Sequence, residues 1–281
     1  MKTIKLPSGK SIPILGQGTW RMGEDTANRQ SEINGLKLGL DLGMTLIDTA
    51  EMYAEGAAEK VVAEAIAGRR DEVFLVSKVY PHNASAKGAV EACKRSLARL
   101  KTDYLDLYLL HWPGSVPMEE TLTAFKLLKK EGLILDFGVS NFDLADLQEA
   151  MSLPGGNEIA TNQVLYNLVN RGIEWDLLPW SKQNNIPVMS YSPIESSARE
   201  QKGFLDHPSL LTVANRHNKT PAQIAIAWLI QQEVVVIPKA SNPKHIKENH
   251  ASLDIVLTVE DNEILDIAFP PPGAHMPLAM R

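Results

Sequence analysis

Eight short runs of aliphatic and β-branched residues recur along the chain, at 14–20, 44–48, 73–78, 104–111, 133–141, 160–164, 186–191 and 234–239. The stretches between them carry helical periodicity. Val90, Cys93, Leu97 and Leu100 fall on one stripe, with Lys94, Arg95 and Arg99 facing away. Ile33, Leu36 and Leu40 form a second such stripe. Strand alternating with helix implies parallel strands joined by right-handed crossovers, and eight units predict a closed (β/α)₈ TIM barrel. An open doubly wound sheet would carry a glycine-rich dinucleotide turn after its first strand. Here Gly16-Gln17-Gly18-Thr19-Trp20-Arg21 lacks the third glycine, and no Walker A sequence occurs.

Before the first barrel run, Pro7-Ser8-Gly9-Lys10 separates two short apolar runs, which predicts a β-hairpin that plugs the N-terminal end of the barrel. The interval between the seventh and eighth runs is the longest. It holds a polar stretch from Glu195 to Gly203, read as a short loop, then helices over about 208–217 and 221–232. The Pro-rich tail from Phe269 excludes a regular helix. No linker or low-complexity segment divides the chain, so residues 1–281 are read as one domain.

Charge and composition narrow the function. A net charge of -6 provides no basic field for nucleic acid or anionic lipid. A single cysteine, Cys93, excludes a disulfide framework and a Cys-rich zinc site, and it reads as a packing residue of its helix. There is no HExxH pattern and the histidines are scattered, so no metal is expected. No apolar run reaches membrane-spanning length and no secretory signal pattern opens the chain. The expectation is a cytoplasmic, monomeric protein with a small-molecule partner.

In a (β/α)₈ barrel the active site lies at the C-terminal ends of the strands. Those ends carry Trp20, then Asp48 with Tyr53 five residues on, then Lys78, His111-Trp112, Ser140-Asn141, Asn162-Gln163, Tyr191-Ser192 and Lys239. Any one of these has an ordinary explanation. A lone Asp caps a helix, a lone His is a satisfied structural residue, and Ser140-Asn141 reads equally as a cap for a helix beginning near Leu144. Their coincidence on one rim points to a site.

Their chemistry fits carbonyl reduction. Hydride addition puts negative charge on oxygen, which calls for a proton donor and fixed dipoles. Tyr53 is a weak acid by itself, and a close Lys78 ammonium is expected to lower its pKa. Asp48 would keep Lys78 charged and aimed. A neutral His111 would orient the substrate carbonyl, and Trp20 and Trp112 would exclude water. The hydride must come from a cofactor. Tyr191 suits stacking on a planar ring, Ser140, Asn141 and Gln163 suit a carboxamide, and Lys239 suits a phosphate.

The stretches GQGTW (16–20), LIDTAEMY (46–53), the lysine of VSK (76–78), YLDLYLLHWP (104–113), GVSNF (138–142), NQV (162–164), YSP (191–193), IPKAS (237–241) and ENH (248–250) resemble the aldo-keto reductases, in order and spacing, over nearly the whole chain. The resemblance implies Tyr53 as general acid, Lys78 and Asp48 as its tuning pair and His111 as the carbonyl-orienting group. It implies Ser140, Asn141 and Gln163 on the carboxamide and Tyr191 beneath the nicotinamide. It further implies that Ser192, Lys239, Ser241, Asn242, His245, Glu248 and Asn249 complete the contacts to NADPH. Two positions depart from the family pattern. Ala240 stands where serine is common, and His245 where an arginine often holds the 2′-phosphate. A neutral imidazole is a weaker phosphate partner than a guanidinium, so Lys239 and Asn242 would carry the preference. NADH is then a weaker alternative, and the preference for NADPH is expected to weaken at higher pH as His245 loses its proton.

Retention of His111, where glutamate accompanies steroid double-bond reduction in the family, implies carbonyl reduction. The wording LIDTAEMYA and YLLHW is similar to bacterial members, some of which reduce methylglyoxal and related 2-oxoaldehydes. The short 195–203 loop and abbreviated tail predict an open mouth suited to small substrates. Two other readings compete: a hydrolase built on Asp48, Glu51, Glu55 and His111, and a barrel that binds NADPH as a redox sensor with little turnover. Glu51 and Glu55, which precede a helix, are explained by its dipole, and the intact tetrad favours catalysis.

Overall fold

The computed structural model describes residues 1–195 and 198–281. Strands β1 (Thr3–Lys5) and β2 (Ser11–Pro13) pair antiparallel with Ile4 opposite Ile12. Eight parallel strands follow: β3 (Gly16–Gly18), β4 (Leu46–Asp48), β5 (Phe74–Val79), β6 (Leu105–Leu110), β7 (Ile134–Ser140), β8 (Ile159–Leu165), β9 (Val188–Tyr191) and β10 (Val235–Val236). Neighbours in sequence are neighbours in the sheet. A parallel bridge between Leu15 and Val236 closes it into a barrel. The seam is reinforced by Val236 N–H donating to Ile14 O (2.8 Å) and Gly18 N–H donating to Pro238 O (3.0 Å). Gly18 is required there, since a Cβ would meet Ile237 O at 2.8 Å.

The predicted strands are present, most of them shorter, while β5 keeps its length shifted by one residue and β8 is longer at both ends. Residues 14–20 contribute three strand residues and 234–239 only two. Below the rim the barrel is filled by Leu46, Val76, Leu107, Leu109, Ala160, Met189 and Val235. Leu6 and Ile12 of the hairpin belong to this same cluster, so the hairpin plugs the barrel floor. Burying a side chain such as Ile12 stabilises by about 1.5–3 kcal/mol.

Around the barrel, helix Gly88–Leu100 buries Cys93, Leu97 and Leu100, while Val90 sits half-buried at the stripe's edge. Helix Arg29–Asp41 buries Ile33, Leu36 and Leu40. Helices Pro208–His217 and Pro221–Gln231 lie where the sequence placed them. The second starts with a Thr220–Gln223 capping box and is buried along most of its length. Two readings need correction. Helix Leu144–Ser152 is capped by Asp143, which accepts Asp146 N–H at 2.8 Å in a reciprocal capping box, so Ser140 and Asn141 are free of that role. The 195–203 stretch is not a loop throughout, because Ala198–Leu205 is helical. Ser196 and Ser197, on which part of that reading fell, lie outside the described residues. Beyond Ala268 the tail is irregular. Among the described residues, no helix is long and apolar enough to cross a membrane.

Candidate active site

Parallel register brings Gly18, Asp48 and Val76 level on adjacent strands and Lys78 level with Leu109. Asp48, Lys78 and His111 therefore reach the same rim. Tyr53 arrives on a tight turn, Tyr53–Gly56, in which Ala54 (φ 49°) and Glu55 (φ 51°) are left-handed. Such conformations cost of order 1–3 kcal/mol each in non-glycine residues, and they gather at functional sites.

The Lys78 ammonium is fully buried and makes three bonds: to Asp48 Oδ2 (2.7 Å), Thr49 O (2.9 Å) and Tyr53 Oη (3.2 Å). An ammonium has only donors, so Tyr53 Oη is the acceptor and its own hydroxyl proton remains available to a further partner. The His111 ring lies 5.8 Å from the Tyr53 ring, centroid to centroid. Trp20, 42% exposed, stands edge-on to Tyr53 at 4.9 Å. Trp112 leans on His111 at 4.9 Å and meets Tyr80 edge-on at 5.9 Å.

Electrostatics revise one expectation. Burial pushes the Tyr53 pKa up, and this outweighs the downward pull of Lys78, with Asp48 adding to the rise. Net lowering by Lys78 was expected, but desolvation is the larger effect. Burial also pulls Lys78 down, yet Asp48 and Tyr53 more than compensate, so the lysine ends above its ordinary value. Burial and the nearby Lys78 charge press His111 down to about 2, which leaves a neutral imidazole. Its Nδ1 is buried with no hydrogen-bond partner among the described residues.

On the opposite side of the rim, Ser140, Asn141 and Gln163 are buried. Asn141, left-handed at φ 59°, donates to His111 O (3.0 Å) and accepts from the Tyr191 hydroxyl (2.8 Å). Ser140 Oγ donates to Gln163 O (2.8 Å). Gln163 Nε2 donates to Asp48 Oδ1 at 2.7 Å, so the amide group is wired into the tetrad. Tyr191 is half-buried and burial lifts its pKa to about 12. Ser192, also left-handed (φ 48°), accepts Asn167 Nδ2 at its carbonyl (2.8 Å).

The remaining predicted residues lie beyond the end of β10, and no hydrogen bond among the described residues joins them to the tetrad. Lys239 and His245 are exposed and Ser241 is half-exposed. Asn242 caps helix Pro243–Ala251 by accepting Lys244 N–H (2.9 Å). Glu248 pairs with Lys244 at 3.8 Å, and Asn249 is buried.

The sequence reading missed a buried carboxylate, Glu195, which accepts from Asn167 (3.1 Å) and Asn170 (2.9 Å) and pairs with Arg281. A polar stretch after a strand carries no signal for such a hub. Also unforeseen is a cavity of about 370 Å³ between the loop after β8 and the tail, lined by Leu165, Arg171, Phe269 and Leu278 and by none of the tetrad.

A parallel barrel with a phenol, an ammonium and a carboxylate in contact at its mouth, and a neutral imidazole beside them, defines an enzyme able to protonate a nascent alkoxide. The Aldo/keto reductase family matches residues 14–269, and the chain belongs to that family. Methylglyoxal reductase YeaE of Escherichia coli (strain K12) is 51% identical over 280 residues, covering 99% of each chain. Methylglyoxal reductase DkgB of Escherichia coli O157:H7 is 32% identical and covers 91% of this chain and 92% of its own. Among solved structures, an aldo/keto reductase from Klebsiella pneumoniae in complex with NADP and acetate superposes with a TM-score of 0.97 at 48% identity, covering 100% of this chain and 99% of its own.

Proposed function

We propose that this protein reduces small aldehydes and ketones to alcohols with NADPH, and that 2-oxoaldehydes such as methylglyoxal are among its substrates. The observation that carries the reading is the 3.2 Å bond from Lys78 to Tyr53, anchored by Asp48 at 2.7 Å. Tyr53 is the general acid. Its raised pKa keeps it protonated throughout the neutral range, and the neighbouring ammonium stabilises the phenolate left after the proton departs. His111, neutral, donates to the substrate oxygen and fixes its direction. Trp20 and Trp112 wall the pocket against water.

The donor set suits a nicotinamide nucleotide. Ser140, Asn141 and Gln163 offer amide and hydroxyl groups for a carboxamide, and the Tyr191 ring offers a stacking face. Ser192, Lys239, Ser241, Asn242, His245, Glu248 and Asn249 would hold the remainder, with the exposed Lys239 ammonium available to a 2′-phosphate. When bound, the reduced nicotinamide supplies the hydride. Asn242 Oδ1 is engaged as a helix cap, which leaves its Nδ2 as the group that could donate to the phosphate beside Lys239, and NADH is a weaker alternative. We read residues 1–281 as one monomeric, cytoplasmic domain.

The test is a panel of aldehydes with NADPH and NADH, run beside Tyr53→Phe. Removal of the phenol oxygen is expected to abolish reduction and leave NADPH binding intact. Near-parental turnover by Tyr53→Phe rejects the assignment, and tight NADPH binding with negligible turnover of every aldehyde favours the sensor reading.

A further inference from the structure

We propose that Glu51 is a positioning residue that sets the width of the substrate mouth by tying the loop that carries the general acid to the Tyr80–Asn83 turn. This rests on the reading of the site as a carbonyl reductase.

Glu51 sits between Asp48 and Tyr53, and its side chain is 6% exposed. One carboxylate oxygen accepts both the Tyr80 backbone N–H (2.8 Å) and Asn83 Nδ2 (3.0 Å). The other faces the Arg95 guanidinium at 3.8 Å. The backbone N–H of Glu51 donates to Lys78 O at 3.3 Å, so the same residue is fixed to the strand that presents the catalytic ammonium. Neither a hydrolytic acid nor a helix-dipole partner is needed to explain it: one carboxylate oxygen holds a loop after the next strand, and the other faces Arg95 on helix Gly88–Leu100. That loop in turn forms the mouth. Tyr80 meets the Trp112 ring edge-on at 5.9 Å. Pro81 presses so closely on the segment after β6 that a Cβ at Gly114 would lie 2.5 Å from Pro81 Cβ. The path from Glu51 through Tyr80 and Pro81 to Trp112 and Gly114 is therefore continuous contact. Bonds to an ionised acceptor are stronger than neutral ones, which suits a link that must hold two loops in register. Loss of the link would leave the Tyr53 proton donor in place and let the Trp112 wall move, so discrimination between substrates is affected more than the chemical step.

The test compares the intact chain with Glu51→Ala, Glu51→Gln and Asn83→Ala. Rates with NADPH are measured for methylglyoxal and for the bulkier phenylglyoxal, together with the NADPH Kd by protein fluorescence and hydrogen exchange across residues 79–84. Glu51→Ala is expected to raise KM for methylglyoxal by roughly tenfold and to shift the phenylglyoxal-to-methylglyoxal ratio of kcat/KM by about fivefold or more, as misplacement of a pocket wall does. The value of kcat should stay within about threefold and the NADPH Kd within about twofold, because Tyr53 and the amide cluster are untouched. Exchange across 79–84 should quicken. Glu51→Gln keeps one acceptor oxygen and should restore most of KM. Asn83→Ala removes a single donor and should shift the ratio in the same direction by less, which serves as the readout where Glu51→Ala fails to fold. An unchanged substrate ratio with unchanged exchange, or a fall in kcat at constant KM, overturns the proposal. Inability of the parent chain to reduce either substrate rejects the carbonyl-reductase reading instead, and unchanged exchange across 79–84 then still rejects the tie made by Glu51.

Discussion

Replacing Lys78 by methionine separates what the buried ammonium does for the fold from what it does for the reaction. The substitution keeps the unbranched stem and deletes the charge. Asp48, whose side chain is 3% exposed, is left with Gln163 as its remaining donor, at 2.7 Å. Removing one partner of a buried pair costs about 3–5 kcal/mol, because the other charge stays desolvated. For a chain of 281 residues, unfolding entropy of about 2.1 cal/mol/K per residue sums to roughly 0.6 kcal/mol/K, which turns this cost into a Tm fall of about 5–9 °C.

The effect on the reaction has a different source. At 3.2 Å and an effective dielectric constant of about 20, a unit phenolate gains about 5 kcal/mol from the ammonium. With roughly half of that charge developed in the transition state, kcat should fall by about 10²-fold, within the usual range for a tuned general acid. Adding Asp48→Leu removes the stranded carboxylate, so the double variant should regain most of the lost Tm and none of the lost rate. Thermal unfolding by calorimetry and NADPH oxidation by absorbance read the two quantities separately. The reasoning is refuted if the double variant recovers turnover, or if Lys78→Met loses activity only in proportion to its unfolded fraction.

Two further outcomes follow from the burial of particular side chains. His111 is held neutral down to about pH 2 in the folded protein, whereas an unfolded histidine protonates near 6.5. Its folded pKa is lowered, so its contribution to stability is complete above about pH 6.5 and is lost as pH falls. From pH 6.5, where the unfolded histidine is already half protonated, to pH 5 the further loss is about 1.6 kcal/mol. Urea unfolding at the two pH values should show that loss in the parent and not in His111→Gln. The kcat/KM of the parent should carry no limb attributable to His111 over the same range, and a histidine-like limb removed by His111→Gln would contradict its neutrality. Ile12→Ala opens the barrel floor, where Ile12 is fully buried against the interior cluster. Chemical denaturation should report about 2–5 kcal/mol of lost stability with kcat unchanged, and a loss below about 0.5 kcal/mol would deny the hairpin its role as a plug.

The architecture was legible because short aliphatic and β-branched runs, buried on both faces in the barrel, alternate with stretches that carry an apolar helical stripe. The hairpin was legible from its Pro-Ser-Gly-Lys turn, and the tetrad from the polar residues that end consecutive strands. Burial was less legible. The sequence shows that Lys78 neighbours Tyr53 and suggests a lowered phenol pKa, but it does not show how completely the site is dehydrated, and dehydration sets the net direction. Glu51 was visible, but its main partner is the backbone N–H of Tyr80, which every non-proline residue has and no motif marks. The Asp143–Asp146 capping box was present in the sequence, yet the strand-ending Ser140-Asn141 pair offered a competing cap. Only coordinates showed those two residues turned toward Gln163 and His111.

The bond from Gln163 to Asp48 joins residues 115 apart in sequence and explains why the rim works as one unit. In a ring of eight strands, β4 and β8 stand four places apart, on opposite sides of the barrel. Just below the rim, where most barrels of this type continue with branched aliphatic side chains, this one places a carboxylate that reaches both walls. Asp48 Oδ2 takes the ammonium that tunes the phenol, and Oδ1 takes the amide of the cluster suited to the carboxamide. The contact with Asp48 favours the charged form of Lys78. Displacement on the amide side is therefore felt on the proton-donor side through one side chain. The aliphatic layer of Leu46, Val76, Leu107 and Leu109 beneath it excludes the water that would otherwise screen that coupling.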